Sequence, residues 1–175
     1  MEKCKFLASF VYCPKCGGGF TDNNIKSKRC SSCGFVYYFN PSAAVVAIIK
    51  NNQGEILVST RAHEPAKGTL DLPGGFVDDS ESAEQSVCRE VAEECNVEVQ
   101  STQYLFSLPN IYTYSNFDVH TLDMFFECRV DSLDKLEAND DVESLQFIKI
   151  EDLDITKFGL GSIRKGLERY IASKK

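Results

Sequence analysis

Three glutamates, Glu90, Glu93 and Glu94, follow Arg89 at positions i, i+3 and i+4. On a helix this spacing puts all three carboxylates on one face. Like charges so placed destabilise a bare helix by roughly a few tenths of a kcal/mol each, and a divalent cation would relieve them. Carboxylate oxygens suit Mg2+ or Mn2+, with water and a substrate phosphate completing the octahedron. The cluster alone reads equally well as a solvated acidic face carrying an i,i+4 pair. Its position favours the cation. The segment follows closely on Pro73-Gly74-Gly75, a turn whose backbone can come close to a ligand.

A second chemistry lies near the N-terminus, in Cys13-Pro14-Lys15-Cys16-Gly17 and Cys30-Ser31-Ser32-Cys33-Gly34. Each C-x-x-C-G turn aims two thiolates at one point, and its glycine accepts the backbone that brings amide N–H groups to the sulfurs. The residues between Cys16 and Cys30 suffice for a hairpin joining the two turns. Cys13, Cys16, Cys30 and Cys33 are then ligands of a closed tetrahedral Zn2+ site, with iron as the alternative metal. So short a segment has little apolar core, and the metal would supply most of its folding free energy. Cys4, Cys88, Cys95 and Cys128 have no such pairing and read as buried or incidental thiols.

These groups need a frame. Residues 42–49 and 55–60 read as strands around an Asn51–Gly54 turn, which predicts a hairpin. Ser82 with Gln85 forms a capping-box signature, and Ala83, Val87, Val91 and Cys95 make the buried stripe of a helix over 82–95. Further strands are expected at about 101–108, 119–130 and 144–150, with a helix near 162–173. The fold class is α+β, or an α/β/α sandwich. Asn40-Pro41 divides it from the cysteine segment, whose aromatics Phe35, Tyr37, Tyr38 and Phe39 are expected to pack on the body.

The net charge of −7 is uneven, +4 over residues 1–39 and −11 over the rest. An acidic body that handles phosphate needs cations as intermediaries. No apolar run is long enough to span a bilayer, and residues 1–5 open no secretory signal, so a cytoplasmic location and no membrane partner are expected. Nucleic acid is not expected as a partner, since the cysteine segment is only mildly basic once zinc and thiolates are counted. A homodimer is compatible with the chain.

From Gly75 the chain reads GFVDDSESAEQSVCREVAEECNV, which resembles the Nudix box. Gly75, Glu81, Arg89, Glu90, Val91, Glu93, Glu94 and Val97 match at fixed spacing, and Asn96 stands where the family has glycine. That position caps the helix in a left-handed conformation, for which asparagine is the next best residue. The resemblance implies an α/β/α sandwich around a mixed sheet over residues 40–175, preceded by a zinc ribbon over 1–39. It implies that Glu90, Glu93 and Glu94 hold the catalytic metal with the Gly74 carbonyl, that Glu81 supports the metal and water network, and that Arg89 orients the glutamates. Asp141 is the best match for a further acid, with Glu143 close behind.

The activity implied is metal-dependent hydrolysis of a pyrophosphate bond in a nucleoside diphosphate-linked substrate, releasing a nucleoside monophosphate. The ribbon in front resembles the NADH pyrophosphatase subfamily, but Ser107–Ser115 keeps only the serines and one proline of that subfamily's signature, and its extra leading domain is not seen. NADH, NAD and ADP-ribose are therefore candidates. Arg61, at a strand end, is placed to meet a phosphate or is a surface arginine. Tyr112, Tyr114 and Phe117 could stack on a base or simply pack. The alternative from another class is a Nudix-fold ligand sensor whose ribbon contacts protein or nucleic acid. Such modules usually lose box carboxylates, and this box keeps all four.

Overall fold

The computed structural model describes residues 5–174, so Cys4 lies outside the described residues. A short 3-10 helix, Lys5–Ser9, precedes a three-stranded antiparallel meander of β1 (Phe20–Asn24), β2 (Ser27–Cys30) and β3 (Val36–Tyr38). The two cysteine turns flank it. Gly17 and Gly34 take positive φ and donate their N–H groups to the carbonyls of Cys13 and Cys30.

The body holds two sheets. One has the order β4-β8-β7, from β4 (Ser42–Ile49), β7 (Val99–Tyr114) and β8 (Phe117–Val130), with β4 parallel to β8 and β7 antiparallel to it. The other has the order β6-β5-β9, from β5 (Ile56–Arg61), β6 (Leu70–Asp71) and β9 (Val142–Ile148). Helix α1 (Ala83–Cys95) packs Val87, Val91 and Cys95 on Val45, Ala47 and Phe126. Helix α2 (Gly161–Ala172) packs Ile163, Leu167 and Tyr170 on Val46, Ile48 and Phe125. Both faces of β4 are thus covered, which is why SAAVVAII reads as a continuous apolar run. The result is the α+β, α/β/α arrangement around mixed strands that the sequence predicted.

The hairpin expected from residues 42–60 does not form. β4 pairs with β8 and β5 with β6 and β9, and the two touch through an isolated bridge between Lys50 and Ile56. The turn is real, but each strand is apolar on both faces and takes a place in a different sheet, β5 between β6 and β9 and β4 beside β8. The long hairpin of the body lies elsewhere. β7 and β8 pair up to Tyr114↔Phe117 around Ser115-Asn116, both at positive φ, the two-residue turn whose twist matches the strands. Pro109 interrupts the apolar pattern and hid this extension. It is tolerated because β7 is an edge strand.

The ribbon meets the body through rings. Phe10 packs edge-on against Phe39 at 4.6 Å and against Phe117, at the hairpin turn, at 5.8 Å, and Phe39 in turn meets Tyr37. Tyr38, by contrast, is half exposed. Among the described residues no helix is long and apolar enough to cross a membrane.

Candidate active site

The site begins at the free edge of β4. Val45 and Ala47 donate their N–H groups to the carbonyls of Gly75 and Pro73, at 2.8 Å each, and Val77 donates to Ala43. The Pro73–Val77 segment is thereby laid along the strand. A side chain at Gly74, whose φ is 148°, would collide with the Val45 carbonyl. At Gly75 a Cβ would lie 2.5 Å from Glu90 Oε1. These two glycines are what let the loop, the strand and the acidic helix close on one another.

Helix α1 starts at the predicted capping box, with the Ser82 side chain accepting from Gln85 N and the Gln85 side chain from Ser82 N. It stops at Asn96, left-handed at φ 55° and ψ 34°, whose Nδ2 donates to the Lys135 carbonyl. Between these ends Arg89 organises the acids. It grips Glu81 with both Nε (2.9 Å) and Nη2 (3.0 Å). Its Nη1 donates to Glu90 (2.8 Å) and Glu93 (2.9 Å), and Nη2 also reaches the Phe76 carbonyl. Hydrogen bonding from Arg89 lowers the Glu81 pKa, and the same contacts raise that of Arg89.

Glu94 is set apart. It is 8% exposed and accepts from Gly74 N at 2.9 Å. Burial pushes its carboxyl up to about 8, with Glu90, Asp71 and Asp141 adding to the rise. Burial also raises Glu90. Acids crowded out of water in this way are the donor set a divalent cation fits. Glu90 and Glu93 share the Arg89 Nη1 donor, whereas Glu94 is held by Gly74, which presents its N–H, not its carbonyl, to that glutamate.

These residues open on a cavity of about 320 Å3 lined by Gly74, Arg89, Glu90, Glu93 and Glu94 together with Asp141, Arg61 and Tyr112. Asp141 is exposed, with His63 Nε2 3.5 Å from its carboxylate. Arg61 faces inwards. Its Nη1 donates to Asp71 at 2.6 Å, its Nε to the Pro65 carbonyl at 2.7 Å and its Nη2 to Tyr112 Oη at 3.1 Å. Burial works against the Arg61 charge, but Asp71 outweighs it and raises the pKa. Tyr112 also meets the Phe76 ring at 5.7 Å. Tyr114 lies outside this cavity, exposed beside the hairpin turn, and Glu143 lies outside it as well.

The sequence did not single out Asp71, Thr121, Asp123 and Phe76, which also line the cavity. A signal existed for two of them. Thr121 and Asp123 alternate with Phe125 on the buried side of an otherwise apolar strand, where polar residues need a reason.

In the ribbon the Sγ atoms of Cys13, Cys16, Cys30 and Cys33 all lie within 4.8 Å of one another, with Cys13–Cys33 at 3.8 Å and Cys16–Cys30 at 3.5 Å. A tetrahedron with Zn–S near 2.3 Å has edges of about 3.8 Å, so the cluster is compatible with zinc. The Cys33 and Ser32 amides donate to the Cys30 sulfur, and they lower its pKa to about 6.

The profile described as NUDIX domain matches residues 40–169. Over 135 residues the chain is 31% identical to the ADP-ribose pyrophosphatase of Methanocaldococcus jannaschii, covering 76% of each. Over 152 residues it is 30% identical to the NAD-capped RNA hydrolase NudC of Deinococcus radiodurans, covering 85% of this chain but 52% of that protein. The chain thus spans about half the length of that relative. Among solved structures a NUDIX hydrolase from Nitrosomonas europaea superposes with a TM-score of 0.73 at 21% identity, covering 94% of this chain and 92% of the other.

Proposed function

Since this chain belongs to the Nudix hydrolase family, we propose that it hydrolyses the pyrophosphate bond of a nucleoside diphosphate-linked substrate of the ADP-ribose or NAD(H) type, releasing a nucleoside monophosphate. The observation that carries this reading is the Arg89 hub, which fixes Glu81, Glu90 and Glu93 beside the buried Glu94 at the mouth of one cavity. Relatives described as ADP-ribose pyrophosphatase and NAD-capped RNA hydrolase support the substrate class.

Nudix hydrolases generally need a divalent metal. Glu90, Glu93 and Glu94, with the Gly74 carbonyl, would hold Mg2+ or Mn2+ here. Bound there, such a cation polarises phosphoryl oxygens and lowers the pKa of a water. The protein's own part is positional. Arg89 keeps the carboxylates in place, Glu81 anchors Arg89, and Asp141 adds an acid from the loop that leads into β9. Tyr112, held by Arg61, offers a ring to the nucleoside. Arg61 serves this reading as a brace for Tyr112 and a partner of Asp71 rather than as a phosphate ligand, and Tyr114 has no part in it.

Residues 1–39 form a ribbon whose Cys13, Cys16, Cys30 and Cys33 hold a structural Zn2+, and residues 40–175 form the catalytic domain. None of the seven described cysteines forms a disulfide, which fits a reducing compartment such as the cytoplasm.

The test is a turnover screen with magnesium against ADP-ribose, NAD, NADH, diadenosine polyphosphates, nucleotide sugars and nucleoside triphosphates, with products identified by mass. Release of a nucleoside monophosphate from one preferred compound is the expected result. Binding without turnover across the panel would replace the enzyme reading with a ligand sensor.

A further inference from the structure

At the end of the cavity beside the first turn of α2 stands Asp123 on β8. It is 5% exposed and borders the cavity. Its Oδ1 accepts from Thr121 Oγ1 at 2.6 Å and its Oδ2 from Ser162 Oγ, on the first turn of α2, at 2.5 Å. Neither donor is a cation, and Asp123 takes part in no ion pair among the described residues. Arg61, the cation that also lines the cavity near this end, is committed to Asp71.

A carboxyl group held out of water by two hydroxyls alone is costly, and each of its oxygens keeps a lone pair to accept one more hydrogen bond. The open side is the cavity. Asp71 and Asp123 outnumber Arg61 there, and the divalent cation of the reading above, which would draw phosphate, belongs to the α1 carboxylates. The phosphates of a bound nucleotide are therefore assigned to the α1 end, and the nucleoside to Asp123. The Phe76 and Tyr112 rings line the cavity beside that nucleoside.

We propose that Asp123 is a specificity-determining residue, accepting a hydrogen bond from a neutral donor on the nucleoside part of the substrate, either the exocyclic amine of the base or a ribose hydroxyl. The proposal rests on the nucleotide reading above. It differs from a structural role, in which Asp123 only ties β8 to α2 through Ser162.

Calorimetric binding of ADP-ribose is compared with that of its hypoxanthine counterpart, which carries an oxo group for the amine, and of its 2′-deoxyadenosine counterpart. The proteins are wild type, Asp123→Asn and Ser162→Ala. Wild type is expected to bind one of the two analogues roughly tenfold to a hundredfold more weakly than ADP-ribose, the loss typical of one hydrogen bond to a charged group, and the weaker analogue identifies the donor. Asp123→Asn levels that difference. Ser162→Ala lowers the melting temperature but keeps it.

Equal binding of all three compounds by wild type overturns the proposal, as does no binding of any. So does an Asp123→Asn variant that weakens all three by one factor. Equal binding by wild type overturns the proposal even where Asp123→Asn does not fold. If ADP-ribose is bound with this discrimination but not hydrolysed with magnesium, the pyrophosphatase reading fails and the role of Asp123 stands. Hydrolysis without discrimination sinks the role of Asp123 alone.

Discussion

Arg89 donates to three carboxylates and one carbonyl, so its removal leaves Glu81, Glu90 and Glu93 facing one another without a cation. Arg89→Ala is expected to lower kcat/KM by about a hundredfold or more, since preorganised charge is commonly worth that much. Steady-state kinetics at saturating magnesium checks this, and near-normal kcat/KM would remove Arg89 from the machinery. Glu94→Gln keeps the shape of the side chain and an oxygen that can accept from Gly74 N. Turnover should fall below detection while the thermal midpoint stays or rises, because a carboxyl whose raised pKa penalises the folded state above the unfolded value is removed. A variant with full activity would place the metal elsewhere.

At the scale of elements, α1 is defined by its ends as much as by its apolar stripe. The Ser82 cap is reciprocal with Gln85, and Ser82→Ala should cost about 1 kcal/mol in denaturant unfolding. The other end tests the one departure from the Nudix pattern. Asn96 already sits at φ 55°, so Asn96→Gly should be close to neutral and Asn96→Ala should cost about 1 kcal/mol. Equal stability of the two variants would show that the left-handed cap does not constrain the helix. The hairpin of β7 and β8 shows the reverse situation, an element whose turn chemistry, Ser115-Asn116, is ordinary in type but was masked by Pro109.

Across the whole molecule, Glu127 ties the C-terminal helix to the central sheet. Its carboxylate meets Lys50 at 2.7 Å, Tyr170 at 2.9 Å and Lys174 at 3.1 Å. Burial pushes its pKa up, but those three donors outweigh burial and hold it at about 2. A carboxyl group whose folded pKa lies below its unfolded one contributes stability above the unfolded value, and that stability fades as the pH falls through the folded value. Stability should therefore drop between about pH 4.5 and pH 2, and Glu127→Gln should remove on the order of 2 kcal/mol at neutral pH and flatten that decline. Urea unfolding at several pH values measures both. The proposed zinc belongs to the same scale. Chelation is expected to expose four thiols to a titrating reagent and to unfold β1 to β3, leaving the far-ultraviolet helix signal of the body largely intact.

Much of this was legible in the residues themselves, for a physical reason. Ser82, Gln85, the apolar stripe and Asn96 define a helix through contacts no more than four residues apart, and Cys13, Cys16, Cys30 and Cys33 encode a cluster through two local turns. Glu90, Glu93 and Glu94 follow from that helix, because their spacing alone places them on one face. Interactions between distant segments were not legible. Nothing near Arg61 in the chain announces that Tyr112 would receive one of its N–H groups, and Asp123 depends on Ser162, on a helix 39 residues away. The pairing of β4 with β8 rather than β5 was likewise decided by burial. A strand apolar on both faces is satisfied only when helices cover both sides, and that condition belongs to the assembled sandwich, not to any stretch of sequence.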